Sequence, residues 1–408
     1  MLQTEMFHTR PCLREENREE SMDQSGPPTA SFYEFFAGGG MARAGLGPHW
    51  QCLFANDIDP KKAAHYSRNW GCEELKLGDV AALSSRDLPR QADLVWASFP
   101  CQDLSLAGMG AGLNGHRSGT FWPFWTLIKS LRQEGRQPGL IVLENVCGAL
   151  TSHQGKDFQS ILSALCAEEY RYGALTIDAA RFVPQSRPRL FIVAVKKGTQ
   201  LPPTLSGSEA AASWASPALL HAQSTLSEEL RRSWVWWCLP APAQRTTSFS
   251  DLVEQLPEGV AWHTNAETQR LIGMMSPVNR SKLRAARRAG QREIGTVYKR
   301  TRIEVGERIQ RAEARFDGLA GCLRTPGGGS SRQIVLVVEG RQVRSRLLSP
   351  REAARLMGLP EEYELPARYN DAYHLIGDGV VVPVVRHLAA HLLEPLLAAV
   401  RAERSRAA

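Results

Sequence analysis

The chain of 408 residues has no stretch of 18 uninterrupted apolar residues, so no membrane-spanning helix is expected. Its first thirty residues lack the apolar core of a secretory signal. Arg10, Arg14, Glu15, Glu16, Arg18, Glu19 and Glu20 mark them instead as an expected disordered tail, with Met22 a candidate start. The eight cysteines (12, 52, 72, 101, 147, 166, 238 and 322) contain no Cys-x-x-Cys pair and no regular spacing. That argues against a disulfide framework and against a zinc site, and points to a reducing, cytoplasmic compartment. A G-x-G-x-x-G fingerprint is also missing, which removes the usual signal for a nicotinamide dinucleotide.

The net charge of +7 and pI near 9.1 permit a polyanionic partner without requiring one. Its distribution says more. Between Lys282 and Arg315 eleven Lys/Arg face four Asp/Glu, an excess equal to that of the whole chain. The run reads either as a solvated helix face or as a phosphate-contacting surface.

A further short strand is expected at Leu75–Leu77; short apolar runs recur at Phe32–Phe36, Cys52–Ala55, Asp93–Ala97, Leu140–Leu143, Ala174–Ile177 and Leu190–Val195. They do not alternate, as expected of parallel strands covered on both faces. Helical stretches at Pro60–Trp70, Thr120–Gly135 and Lys156–Glu169 lie between them. This order predicts an α/β domain, a doubly wound, mostly parallel Rossmann-like sheet, over residues 31–195. From 196 to 345 the texture is irregular, with five of the ten tryptophans (214, 234, 236, 237 and 262), and a smaller second domain is expected there. Within it Gln333–Val338 and Gln342–Leu348 predict a hairpin turning at Glu339-Gly340-Arg341. Ser349-Pro350 then opens a helix that stops at Gly358, and a final helix spans about Pro383–Arg401. Residues 346–408 are expected to return to the first domain.

The chemistry-bearing residues cluster at predicted strand ends. Pro100-Cys101-Gln102 follows the run ending at Ala97, and the glycines at 108, 110, 112, 115 and 119 make the next segment a candidate lid over the thiol. Glu34-Phe35-Phe36-Ala37-Gly38-Gly39-Gly40-Met41 forms a glycine turn after the first strand. Asn56-Asp57-Ile58-Asp59 and Gly78-Asp79-Val80 end the next two. Acidic strand ends around such a turn suit a nucleoside carrying a cationic sulfonium better than a pyrophosphate. Glu144-Asn145-Val146 places a carboxyl at another strand end, able to protonate or hydrogen-bond a ring nitrogen while a thiolate adds to the ring. Gln185-Ser186-Arg187-Pro188-Arg189 puts two arginines on one side of an extended segment. Cys101 needs either nearby positive charge, for which Arg187 is the candidate, or proton removal on binding, because a free thiol is only a few per cent ionised at neutral pH.

Together with Ser349-Pro350-Arg351-Glu352, Arg355-Leu356-Met357-Gly358 and Gly377-Asp378-Gly379-Val380, these blocks resemble, in order, the motifs of the cytosine-5 DNA methyltransferases of bacterial restriction-modification systems. The resemblance covers about 31–195 and 320–395; the interval between falls where that family keeps its target-recognition region. It implies that Cys101 attacks carbon 6 of a flipped cytosine in duplex DNA, Glu144 contacts N3 and Arg189 contacts O2, with Arg187 supporting the site. Phe36, Ala37, Gly38, Gly40, Asp57, Ile58, Asp79, Val80, Pro100, Asp378 and Val380 would line an S-adenosyl-L-methionine pocket. Gln102, Ser105, Arg117, Arg324, Gly327, Gly328 and Gly329 would contact DNA, and no metal is implied. A monomer acting on double-stranded DNA in the nucleoid is expected, with a cognate restriction endonuclease acting separately and no membrane attachment. Three places depart from the family pattern. Met41 stands where a second consecutive glycine is usual, Asp378-Gly379 where Asn-Ser is usual, and Cys322, to which no role is assigned, where a small hydroxyl residue is more common.

Two other readings compete. A tRNA cytosine methyltransferase would share the fold and the reaction, but that branch has a much reduced recognition region, whereas about 125 residues separate the arginine segment from Gly321 here. A non-catalytic DNA-binding protein would be expected to have lost Cys101 or Glu144, and both are present.

Overall fold

The computed structural model describes residues 30–99, 120–304, 306–324 and 332–407. Its larger sheet has seven strands: β1 (Ala30–Phe35), β2 (Trp50–Asp57), β3 (Leu75–Leu77), β4 (Leu94–Ala97), β5 (Leu140–Val146), β6 (Tyr170–Asp178) and β7 (Pro188–Lys196), in the order β3-β2-β1-β4-β5-β7-β6. From β1 the chain winds outward through β2 and β3, then returns to β4 on the other side. The order therefore reverses between β1 and β4, and the crevice outside their carboxyl ends is where an open α/β sheet binds ligands.

Alternate strand residues feed two separate cores. Phe32, Leu94, Trp96, Leu140, Val142, Val193 and Val195 face one side. Tyr33, Phe35, Val95, Ala97, Ile141, Leu143, Ile192 and Ala194 face the other. Burial on both faces explains the unbroken apolar runs. The second face is covered by α3 (Phe121–Gln133) and α4 (Lys156–Ala167). On the first lie α1 (Met41–Leu46), Tyr66 of α2 (Pro60–Trp70) and the C-terminal helices. Helix α2 has the predicted limits because its ends are written locally: Asp59 accepts from Lys61 N–H (2.8 Å), Pro60 occupies the first turn, and Gly71 follows at φ 85°.

Strand β7 corrects the expectation of a parallel strand. It runs antiparallel to both neighbours, β5 and β6. Only residues 179–187 connect β6 to β7, too few for the crossover a parallel pair requires.

A two-residue ladder, β8 (Ser206–Gly207) with β9 (Trp236–Trp237), and helices α5 (Pro217–Ser224) and α6 (Glu228–Arg232) pack on the larger sheet. Trp214, Trp234 and Trp237 are buried in its two cores. After α7 (Phe249–Leu252), α8 (Asn265–Gly273) and α9 (Pro277–Arg288) comes an antiparallel sheet, β11-β10-β12-β13, built from β10 (Arg292–Glu304), β11 (Glu307–Arg315), β12 (Ile334–Glu339) and β13 (Gln342–Leu347). Most of the basic run is thus a long hairpin rather than a helix face, with α9 carrying its first residues. The predicted hairpin at Gly340-Arg341 is present, Glu339 pairing with Gln342.

The chain then returns to the larger sheet through α10 (Pro350–Leu356), α11 (Tyr369–Asp378), α12 (Val382–Leu388) and α13 (Glu394–Ala407). Ser349 caps α10 in a capping box with Glu352. The run Tyr369–Arg406 is long and apolar enough to cross a membrane, but more than half of its apolar window is buried within the protein. Val384, Val385, Leu388, Leu392, Leu393 and Leu396 fill the core beside α1. At Gly45 an added Cβ would lie 2.3 Å from Val385 Cβ, so the α1–α12 approach requires glycine there.

Candidate functional site

The turn after β1 is wound tightly. Phe36 (φ 59°), Gly38 (φ 57°) and Gly40 (φ 75°) all take left-handed backbone, which for Phe36 is strained. What holds it is Asp57, at the end of β2. One carboxylate oxygen accepts Gly38 N–H (2.7 Å) and the other accepts Asp59 N–H (2.8 Å), while Ala37 N–H donates to Asn56 C=O (2.9 Å). Asn56 in turn donates to the carbonyls of Lys76 (2.8 Å) and Gly78 (2.9 Å), tying in the end of β3. Gly39 is clamped from behind, its carbonyl accepting from Trp70 Nε1 (3.0 Å) and the Tyr363 hydroxyl (2.6 Å).

The front of the turn is open among the described residues: a Cβ at Gly38 would meet none of their atoms within 4 Å. Beside it Ile58 is 64% exposed, an apolar platform at a strand end, and Asp79 is exposed with one carboxylate oxygen on Ala81 N–H. Val80 is buried. This is a backbone cradle with an apolar wall and a carboxylate rim, and those features fit a nucleoside bearing a positive charge. Val380 is buried, and Asp378 pairs with Lys62 of α2 (2.8 Å), so the C-terminal segment closes against the same edge of the sheet.

On the other side of the crevice, Glu144 stands near the end of β5. The Ser98 hydroxyl just beyond β4, which accepts from Trp96 Nε1 (3.0 Å), favours the ionised form of the Glu144 carboxyl. Arg189 Nε lies 3.3 Å from Glu144 Oε1. Burial raises the Glu144 carboxyl above the usual carboxylate range, against the opposing pull of Arg189, Arg187 and Ser98. A protonated Glu144 is therefore more accessible than on a surface. Asn145 donates to the Phe99 carbonyl (3.4 Å) while its own oxygen accepts Val146 N–H (2.8 Å). The β4 exit is thus fastened to the β5 exit at Phe99, one residue before Pro100. Pro100, Cys101, Gln102, Ser105 and Arg117, and likewise Gly327, Gly328 and Gly329, lie outside the described residues.

Arg187 is buried and held at several points. Nη1 donates to Leu323 C=O (2.9 Å) and approaches Cys322 Sγ (3.4 Å); Nη2 donates to the carbonyls of Gly377 and Gly379 (both 2.8 Å). Burial, with Arg189 close by, lowers its pKa below the ordinary value. It works as a clamp joining β7, the Cys322 segment and the end of α11. Gln185 does similar work one turn earlier, donating to Leu356 C=O (2.8 Å) and accepting Leu323 N–H (3.1 Å). Glu144, Arg187, Arg189 and Val380 share the lining of one cavity of about 10 Å³, room for about one water. Arg324 is exposed on the same segment as Cys322.

Sequence reasoning quoted Asn145 and Gln185 within motifs but gave them no task, and it passed over Ser98. Ser98 had a signal, standing two residues before Pro100 at the predicted end of a strand. Cys322 was noted as a departure from the family pattern but was given no role.

A family model described as "C-5 cytosine-specific DNA methylase" matches residues 30–394. Among curated proteins, the type II methyltransferase M.HhaI of Haemophilus parahaemolyticus is 24% identical over 361 residues, covering 88% of this chain and 92% of that protein. M.HpaII of Haemophilus parainfluenzae is 24% identical over 385 residues, covering 90% of each. Among solved structures, the Dnmt2 methyltransferase of S. pombe superposes with a TM-score of 0.57 at 18% identity, over 90% of this chain and 99% of that one. The Entamoeba histolytica methyltransferase EhMeth gives 0.56 at 15% identity, over 90% and 98%. At these identities the structural likeness speaks for the fold.

Proposed function

Since the chain belongs to the C-5 cytosine-specific DNA methylase family, we propose that it methylates carbon 5 of a flipped cytosine in duplex DNA through a covalent Cys101 adduct, as the modification enzyme of a type II restriction-modification system. The observation that carries this reading is the buried, raised-pKa Glu144 held against Arg189 at the end of β5, beside the strand whose exit leads to Cys101. Cytosine carbon 5 is a poor nucleophile. Addition of the Cys101 thiolate at carbon 6 pushes an electron pair toward N3, where the Glu144 carboxyl supplies a proton and Arg189 steadies O2. Carbon 5 of the resulting enamine then has the electron density to accept a methyl group. Loss of the carbon 5 proton to solvent re-forms the C5–C6 double bond and expels the thiolate, while N3 returns its proton to the Glu144 carboxylate.

S-adenosyl-L-methionine, when bound, supplies that methyl as an electrophile on a sulfonium. The cradle formed by Phe36, Ala37, Gly38 and Gly40, with Ile58, Asp79 and Val80 at its rim, would hold it. Asp57 acts from behind, fixing the cradle's backbone. Extrusion of the cytosine costs a few kcal/mol, which phosphate contacts must offset. The target-recognition part, expected over 196–345, would offer for this the antiparallel sheet with its basic hairpin β10–β11 and helix α9, alongside the Arg324 segment.

The test is transfer of labelled methyl to duplex DNA and to tRNA side by side, followed by bisulfite sequencing of the product. Incorporation at one cytosine within a fixed duplex sequence supports the reading; incorporation into tRNA alone overturns it. Cys101→Ala should abolish transfer while leaving binding of the methyl donor intact.

A further inference from the structure

Cys322 sits on the stretch 320–324, which lies alongside the residues leading into β7. Ser186 N–H donates to Ala320 C=O (3.0 Å), Ala320 N–H to Pro184 C=O (2.8 Å) and Leu323 N–H to Gln185 Oε1 (3.1 Å). These bonds fix the sulfur between two guanidiniums, 3.4 Å from Arg187 Nη1 and 4.0 Å from Arg189 Nη2. The two arginines are alternate residues on an extended segment and their charges repel. Arg187 cannot yield, since carbonyls of three residues hold it. Arg189 is the less buried member, with Nη1 on its neighbour Pro188 C=O (2.9 Å) and Nε toward Glu144. The sulfur's own hydrogen faces Leu323 C=O (3.4 Å), which leaves its lone pairs to the guanidiniums.

We propose that Cys322 is a positioning residue for cytosine methylation: its sulfur accepts from both guanidiniums, bridges their repulsion, and keeps Arg189 turned so that Nε meets the Glu144 carboxyl. The inference rests on the reading of Glu144 and Arg189 as the groups at the target base. Without the bridge, repulsion from Arg187 turns Arg189 out of that orientation and Glu144 loses its steadying charge. A bystander sulfur that only fills space predicts no such link to Arg189.

The experiment compares the wild type with Cys322→Ala, Cys322→Ser, Arg189→Ala and the Cys322→Ala/Arg189→Ala pair, measuring kcat and KM for methyl transfer to duplex DNA, with Tm confirming folding. Cys322→Ala should lower kcat about tenfold with both KM values within about twofold of wild type. Serine, whose oxygen accepts from both guanidiniums, should restore kcat to within about threefold. The pair should be no slower than Arg189→Ala alone, because the sulfur acts through that guanidinium. Full kcat in Cys322→Ala, no rescue by serine, or losses that multiply in the pair overturn the proposal while the functional reading stands. A wild-type chain that transfers no methyl to cytosine overturns that reading, and the proposal with it.

Discussion

Gly379→Ser would install the residue usual at that position in the resembling family, and it should damage this protein. An ideal Cβ at Gly379 falls 2.1 Å from Met41 Sδ, 2.9 Å from its Cε and 3.2 Å from its Cγ. The backbone at Gly379 is extended (φ −78°, ψ 175°), so serine meets no conformational objection. The nearest obstacle is Met41, itself only 2% exposed and unable to swing into solvent. Two of the departures from the family pattern, methionine for glycine at 41 and glycine for serine at 379, therefore occupy one volume. Overpacking of this kind costs about 1–3 kcal/mol, or about 1–3 °C in Tm for a chain this large. Activity should fall as well, because the Gly379 carbonyl holds Arg187 Nη2. Met41→Ala alone leaves a cavity worth about 2–5 kcal/mol. Combined, each change relieves the other, and the double variant should be more stable than the sum of the singles by about 1–2 kcal/mol. Thermal and urea denaturation of the four proteins measure this. Additivity within about 0.5 kcal/mol would show that the two positions do not share space, and would refute the reasoning.

Three further perturbations test other parts of the account. Arg346 and Glu352 are both fully buried and joined at 2.8 and 2.6 Å, linking β13 to α10, so Glu352→Ala strands a buried charge and should cost about 3–5 kcal/mol, read by urea denaturation; a loss below about 1 kcal/mol contradicts it. Glu34, buried behind the glycine turn with Oε2 lacking a hydrogen-bond partner among the described residues, has its carboxyl pushed up by burial to about 8. Its folded value exceeds its unfolded one, so its contribution is greatest below about 4.5 and is lost as pH rises through about 8; the Tm of Glu34→Gln should gain on wild type between pH 5 and 8.5, and a pH-independent difference refutes the assignment. Glu144→Gln should lower kcat by about 10²–10⁴-fold, the range of a lost general acid, with DNA affinity retained; an unchanged kcat removes Glu144 from the reaction.

The parts of the fold that were legible in the sequence are those whose signals are local. Helix α2 was readable from Asp59, Pro60 and Gly71, and helix α10 from Ser349, Pro350 and Gly358. Strand β3 has its predicted limits. Direction is not local: Leu190–Val195 is equally apolar in either orientation, and only the short 179–187 link betrays that β7 runs antiparallel. Charge counting found the basic run but not its shape, because the pairing of Thr296–Glu304 with Glu307–Arg315 that makes it a hairpin leaves no mark in the order of the charges. At the site, residue types at strand ends identified Glu144, Asp57 and the glycine turn. That Asp57 holds the backbone of the turn, and that Cys322 approaches Arg187 from 135 positions away, depends on contacts formed only in the folded chain.

The central claim is a covalent bond between the Cys101 sulfur and carbon 6 of cytosine. Duplex DNA carrying 5-fluorocytosine at the methylated position has no carbon 5 proton to lose, so elimination of the enzyme is blocked after methyl transfer. Peptide mapping of the trapped complex by mass spectrometry should find the methylated nucleotide on Cys101. Methylation of ordinary DNA with no trapped complex, or a nucleotide on Cys322 or any other side chain, would contradict it.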